Sequence, residues 1–99
     1  MERYAVRITD RALSDMEEIY DYIAVDLLSP ENAMGQYDRI ANSIMRLKIL
    51  PQRYAELEAV KGLRRMPVDN FSVFFRIDDM TVTVTNVLYS ASNISNRLK

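Results

Sequence analysis

Arginines and a tyrosine in the last third of the chain are the residues whose types and spacing suit chemistry. Arg64 and Arg65 are adjacent at the start of a strand-like pattern, and Arg76 and Tyr89 follow within it. The chain contains no cysteine and no histidine. This excludes a thiolate nucleophile, a disulfide framework, a Cys/His zinc site and a Ser-His-Asp triad.

Proton transfer in this chain is left to carboxylates, lysines and tyrosines. Their unperturbed pKa values lie far from neutrality, so a catalytic role would need strong tuning by the surroundings. Any enzyme built on this sequence would therefore depend mainly on electrostatic stabilisation. No metal and no cofactor is expected.

The charges are divided unevenly along the chain although they almost cancel, to a formal net charge of -1. From Asp10 to Leu28 there are six acidic residues and one arginine, whereas from Arg39 to Arg65 seven cations face two glutamates. A polarised surface of this kind steers an anionic partner to one side and a basic partner to the other. The alternative is that both blocks are only solvated helix faces and loops.

Length and composition predict one small domain over residues 1–99. Apolar residues make up 48% of the 99 residues, and there are only two glycines and three prolines, which is ordinary globular usage. No apolar run approaches the roughly 18 residues that cross a bilayer, and the start has no long apolar signal-peptide core. We therefore expect a cytoplasmic protein without a membrane partner.

The first half of the chain has the pattern of a short strand followed by two helices. Tyr4 to Ile8 alternates as a strand, and Thr9 or Asp10 can cap the helix that follows. Apolar residues of this helix recur at three- and four-residue spacing, with Asp15, Glu18 and Asp26 expected elsewhere on the wheel. These apolar positions are Leu13, Met16, Ile19, Tyr20, Ile23 and Leu27.

A second helix is expected to begin at Ser29-Pro30-Glu31, where a capping serine precedes a proline at the first helical position. Its apolar face consists of Ala33, Tyr37, Ile40, Ile44 and Leu47. The short link between the helices predicts an antiparallel hairpin.

The last third alternates as three strands, predicted at Leu63 to Val68, Phe71 to Ile77 and Thr81 to Tyr89. In the middle strand, Ser72, Phe74 and Arg76 lie opposite the regular apolar set. In the last strand, Val82, Val84 and Leu88 are expected to share one face, opposite Thr83, Thr85, Val87 and Tyr89. The order β-α-α-β-β-β predicts an α+β fold, with a helical hairpin packed on a small antiparallel sheet.

These elements resemble the RelE/ParE superfamily of toxins from bacterial and archaeal type II toxin-antitoxin systems. The segments that carry the resemblance are Tyr4-Ala-Val-Arg-Ile-Thr9, Ala12 to Ile23, Ile44 to Pro51, Gly62 to Ile77 and Val82 to Tyr89. They follow the family's order over almost the whole chain. The resemblance implies a RelE/ParE-like fold and a toxin held in check, as a hetero-oligomer, by a cognate antitoxin.

Toxins of this superfamily fall into two functional kinds. The resemblance favours the ParE-like kind, which inhibits growth by acting on DNA gyrase or another target without catalysis. The alternatives are a ribosome-dependent mRNA endoribonuclease of the RelE kind and a diverged, inactive binding domain. In the ribonuclease kind, cations hold a phosphate while a ribose 2′-hydroxyl attacks it, and no metal is needed.

If the chain cuts RNA, the resemblance implies Arg65, Arg64 and Tyr89 as catalytic residues. Arg65 matches the arginine of the family's Arg-x-Pro-Val-x-x-aromatic pattern, and Arg64 is expected on the opposite strand face. Tyr89 stands where many members carry histidine or tyrosine. The basic run that follows in many ribonuclease members is here Ser90-Ala-Ser-Asn93, which argues against RNA cleavage.

Lys61, Phe74 and Arg76 are the candidate contacts for a partner or substrate. An antitoxin segment that folds on binding could contact Phe74, and the basic block that includes Lys61 could attract an acidic segment or a nucleic acid. The alternatives are ordinary packing for Phe74 and a cross-strand charge pair for Arg76.

Overall fold

The computed structural model describes residues 2–91. Its elements are β1 Ala5–Ile8, α1 Asp10–Asp21, α2 Pro30–Met45, β2 Arg64–Val68, β3 Phe71–Asp78 and β4 Thr81–Tyr89. A π-helical segment, Tyr22–Asp26, continues α1, and 3-10 turns at Arg46–Lys48 and Pro51–Arg53 follow α2. The expected tail from Ser92 to Lys99 lies outside the described residues. No helix within residues 2–91 is long and apolar enough to cross a membrane.

The four strands form one sheet in the order β1-β4-β3-β2. Strands β2, β3 and β4 are the predicted antiparallel meander, and β1 pairs in parallel with the free edge of β4. The long connection through both helices and the β2-β3 hairpin allows this parallel pairing. The α+β fold with a helical hairpin on a small sheet is confirmed, and the sheet is mixed rather than wholly antiparallel.

The main core lies between the helices and one face of the sheet. The side chains of Ile40, Ile44 and Leu47 pack there against Val73 and Phe75. Each such side chain contributes roughly 1.5–3 kcal/mol when it leaves water. The predicted apolar face of the second helix is thereby confirmed.

Helix α1 buries part of its predicted stripe, since Met16 lies in the main core and Ile19 packs against it, but other positions differ from the expectation. Thr9 caps it as predicted, its hydroxyl accepting a hydrogen bond from the N–H of Ala12 at 3.1 Å. Ala12 and Asp15 are buried, whereas Leu13 is exposed. The expectation that Asp15 lies away from the buried stripe was wrong, because this carboxylate has a main-chain partner inside the fold.

A second, smaller core lies on the opposite face of the sheet. Leu63, Phe74 and Leu88 pack there against Leu57 and Val60. The connection between α2 and β2 therefore folds under the sheet and covers part of the face that the helices leave open.

Strand β4 contains a β-bulge that reverses its alternation. The pairing with β3 passes over Thr85, so this residue has no register partner on that strand, although its hydroxyl donates to the carbonyl of Phe74 at 3.4 Å. Beyond the bulge, Val87 joins the main core with Val84, and Leu88 joins the second core. The expectation that Val84 and Leu88 share a face was wrong, because a bulge adds one residue to one strand and exchanges its faces.

Candidate partner-binding groove

An open groove of about 550 Å³ lies between α1 and the ends of β3 and β4. Most of its surface is apolar. The residues that line it are Asp15, Glu18, Ile19, Tyr22, Ile23 and Leu27 on the helix side, Gln36 on α2, and Asn70, Phe71, Val87, Leu88 and Tyr89 on the sheet.

The helix wall of the groove widens after Asp21, where α-helical geometry gives way to π geometry. The N–H of Leu27 donates to the carbonyl of Tyr22 at 3.1 Å, across five residues, as a π turn requires. Tyr22 is 56% exposed and Leu27 55% exposed. The expectation that Leu27 belongs to the core stripe of a continuous α-helix was wrong, because the wider turn moves it out to the side of the groove.

Tyr89 forms the strand wall. Its ring lies edge-on to Phe71, with centroids 5.9 Å apart, and 52% of the residue is exposed. The bulge at Thr85 decides this position, because uninterrupted alternation would have sent Tyr89 to the face away from the helices. The tyrosine therefore faces α1.

A buried carboxylate fixes the strand beneath Tyr89. Asp15 is 4% exposed, and its side chain accepts a hydrogen bond from the N–H of Val87 at 2.9 Å. Strand β1 pairs with β4 only as far as Val84, so beyond that point β4 has no strand neighbour on this side. Asp15 supplies the acceptor there.

The charged side chains of the groove are acidic. Asp15 and Glu18 line it, and no lysine or arginine is among its described lining residues. Across the described part of the chain, no group of three or more carboxylates is placed to hold a metal ion. The groove therefore suits an apolar segment that carries positive charge.

A hydrogen-bonded network holds the rim of the groove at the β2-β3 turn. Asp69, with a φ of 54°, accepts hydrogen bonds from Arg39 Nε at 2.8 Å and from Gln36 Nε2 at 3.0 Å. The hydrogen bond from Arg39, followed by that from Gln36, lowers the pKa of Asp69 below its ordinary value of 3.8. The turn is thereby fastened to α2.

Arg64 contacts the main chain of the connection after α2. Its Nη1 donates to the carbonyls of Gln52 and Tyr54 at 3.2 Å and 2.7 Å, and its Nη2 lies 3.7 Å from Oε1 of Glu56. These contacts hold the connection after α2 against the edge of the sheet.

Arg65 and Tyr89 lie on opposite faces of the sheet. Nε of Arg65 donates to the Ser72 hydroxyl at 2.7 Å, and the Ser72 and Ser90 hydroxyl oxygens are 2.8 Å apart on that same face. Tyr89 points to the helix side. The structure therefore does not bring together the three residues expected to form a ribonuclease site.

The family model described as "ParE toxin of type II toxin-antitoxin system, parDE" matches residues 6–94. The chain belongs to this ParE toxin family. Among the curated proteins, none matches significantly.

Solved toxin structures share the fold of this ParE family member. The chromosomal ParDE system from P. aeruginosa matches with a TM-score of 0.78 at 24% identity, over 88% of this chain and 96% of that chain. A RelBE toxin-antitoxin complex from Mycobacterium tuberculosis has a TM-score of 0.61 at 22% identity, over 93% and 97%. A mutant of E. coli RelE in the free state has a TM-score of 0.65 at 10% identity, over 96% and 92%.

Phe74 is an interior residue of this ParE-family toxin. It is 0% exposed, and Leu57, Val60 and Leu63 pack around it. The side chain therefore offers no surface to a partner in this conformation, because the connection after α2 covers it.

Lys61 and Arg76 lie together on the sheet face that the helices leave open, at the end away from the contact between Arg65 and Ser72. Nη1 of Arg76 donates to the main-chain carbonyl of Lys61 at 3.1 Å, and both residues are exposed. Gly62 follows with a φ of 82°, and a Cβ there would lie 3.0 Å from the Arg76 guanidinium. The glycine thus permits both the turn and the close approach.

Sequence reasoning did not anticipate Asp15 and Tyr22 as groove residues. Asp15 follows Ala12 by three positions and precedes Ile19 by four, so its spacing placed it on the buried stripe in spite of its charge. The sequence held no comparable signal for the π turn at Tyr22.

Proposed function

We propose that this ParE-family toxin arrests growth by binding a protein target, DNA gyrase, without cleaving RNA, and that its cognate antitoxin neutralises it by occupying the groove. The observation that carries the proposal is the exposed apolar surface of the groove, where Tyr22, Leu27 and Tyr89 are each more than half exposed. A contiguous apolar patch of this kind on a small domain marks an interaction site. Both partners would be met in the cytoplasm, where we place the toxin.

The separation of the candidate catalytic residues supports action without catalysis. RNA cleavage without a metal needs cations and a proton carrier that converge on one phosphate within hydrogen-bonding reach. Here Arg64 is engaged by main-chain carbonyls, and Arg65 and Tyr89 are on opposite sides of the sheet.

The chemistry of the groove defines the antitoxin segment that fits it. Ile19, Ile23 and Leu27 offer apolar contacts to one face of an amphipathic helix. The exposed Glu18 favours a lysine or arginine at the edge of that face. An antitoxin segment that folds only on binding would meet these demands.

Induced expression with and without the gene of the cognate antitoxin tests the proposal. We expect growth arrest from the toxin alone, relief on co-expression, loss of plasmid supercoiling in arrested cells and no new mRNA 5′ ends. New 5′ ends within codons would indicate that the toxin cleaves ribosome-bound mRNA and does not act on gyrase. Normal growth under verified expression would indicate that the chain is a diverged, inactive binding domain.

A further inference from the structure

The face of the sheet that the helices leave open carries a polar row across three adjacent strands. The strand register places Arg7 of β1 beside Thr83 of β4, and Thr83 beside Arg76 of β3. Their neighbours Val6 and Val82 point into the main core, so the row projects from the opposite face. Both arginines are exposed and Thr83 is half-buried.

Lys61 lies at the end of this row, because Arg76 holds its main-chain carbonyl. Two residues further along the strands, Ala5, Thr81 and Asp78 form the next row on the same face. The strip made of these two rows and Lys61 contains three cations, two threonines and one carboxylate. It is separate from the end of the face where Arg65 contacts Ser72.

We propose that this strip binds the phosphate backbone of a nucleic-acid duplex without reading its sequence. Neighbouring strands lie about 4.8 Å apart, so the Cα atoms of Arg7 and Arg76 are separated by about 10 Å, with Thr83 between them. Two guanidinium groups at this separation can contact neighbouring phosphates. Arginine, lysine and threonine are the side chains that usually make such backbone contacts.

The composition of the strip favours a duplex over other anionic partners. Single-stranded nucleic acid is usually held by aromatic side chains on which its bases stack, and the strip has none. Protein interfaces depend on apolar or aromatic anchors at their centre, and the strip offers only Ala5. A duplex presents phosphates and needs neither.

The distribution of charge makes such binding compatible with a net charge of -1. The acidic residues of α1 lie on the other side of the sheet from the strip. A polyanion that approaches the open face therefore meets three cations and the single carboxylate of Asp78, while the carboxylates of α1 are farther away.

Fluorescence anisotropy of a short labelled DNA duplex, titrated with the purified chain at low salt, tests the strip. We expect Arg7→Gln to weaken binding about fivefold and Arg7→Gln with Lys61→Gln about twentyfold, with a salt slope less steep by about 0.9 for each lost contact. Arg11→Gln is the matched control, since it removes the same charge from an exposed site on α1. It should change affinity less than twofold, and all variants should keep the wild-type unfolding midpoint.

Equal weakening by Arg7→Gln and Arg11→Gln would overturn the proposal, because only net charge would then matter. It would also be overturned by preference for the single strand, by displacement with polyglutamate at matched charge, or by failure to bind at low salt. Titration with an RNA duplex of the same sequence shows whether the strip binds DNA, RNA or both. Binding of either duplex supports the proposal if Arg7→Gln weakens it. The assay uses purified components, so its outcome does not depend on whether gyrase is the target.

Discussion

The carboxylate of Asp15 accepts a 2.9 Å hydrogen bond from the main-chain N–H of Val87, and this contact joins α1 to the bulged half of β4. The N–H of Val87 points away from β3, toward the side where β1 pairs with β4 only as far as Val84. Within the described residues, no strand is therefore present at Val87 to accept this hydrogen bond. Two residues later Tyr89 enters the groove. One buried acid therefore stabilises the strand segment that gives the groove its wall.

Removal of this acceptor should destabilise the fold. We expect Asp15→Ala to lower the free energy of unfolding by about 2–3 kcal/mol, because a buried donor loses a charged partner. Asp15→Asn keeps an acceptor oxygen and should lose less. Urea unfolding measures both, with the exposed Glu17→Ala on the same helix as control, expected within about 0.5 kcal/mol of wild type. Equal stabilities of Asp15→Ala and Glu17→Ala would refute this role.

The same bulge shows where sequence reasoning succeeded and where it could not succeed. The spacing of Ile40 and Ile44, and the alternation of Val73 and Phe75, are local patterns that predicted their elements and core faces correctly. The side of the sheet on which Tyr89 lies depends instead on Thr85, which leaves the ladder. A bulge depends on tertiary contacts, so strand alternation alone could not predict it.

In the candidate site, local sequence patterns also failed to predict the structure at the end of α1. Periodicity predicted a helix through Tyr22 and Leu27, but the π turn that exposes them arises where the chain must turn into α2. The strand positions of Arg64 and Arg65 were predicted, whereas the carbonyls that hold Arg64 belong to an irregular connection with no periodic pattern.

The rim network predicts a specific acid dependence. The folded-state pKa of Asp69 lies below its ordinary value of 3.8 because of Arg39 and Gln36, so the stabilising effect of the ionised carboxylate is fully present above that value. It is lost as pH falls through the lower folded-state pKa. Both ion-pair side chains are about half exposed, at 58% and 45%, so the effect is reduced by solvent screening.

Asp69→Asn should therefore be less stable than wild type at neutral pH and converge with it in strong acid. Asparagine tolerates the left-handed backbone at this turn, so the substitution tests the charge rather than the conformation. Urea unfolding across pH measures the difference, with Asp38→Asn on the exposed side of α2 as control. A difference that persists unchanged into strong acid would be inconsistent with the network.

The groove account predicts which exposed apolar residue matters to the antitoxin. Leu27→Ala should weaken antitoxin binding about tenfold, since truncation of a buried interface anchor costs about 1–2 kcal/mol. Met80→Ala is the control, because Met80 is an exposed apolar residue in the β3-β4 turn and does not line the groove. Isothermal titration with the cognate antitoxin measures both. Equal affinities for the two variants would place the antitoxin elsewhere.

The two adjacent arginines should differ in their effects on growth. Arg65→Ala should leave growth arrest intact, because no catalytic role is assigned to it. Arg64→Ala should lower the unfolding midpoint, because the carbonyls of Gln52 and Tyr54 lose their donor. Growth curves under matched expression, with thermal unfolding of each purified variant, test this pair. Loss of arrest in a stably folded Arg65→Ala variant would return Arg65 to a catalytic role.

Gyrase supercoiling of relaxed plasmid, measured with purified toxin, tests the central claim most directly. Wild-type toxin and the Arg65→Ala variant should inhibit supercoiling to the same extent. Antitoxin that is bound to the toxin beforehand should prevent the inhibition, because it occupies the groove. Undiminished supercoiling with toxin in excess, together with cleavage of ribosome-bound mRNA by the same preparation, would contradict the account.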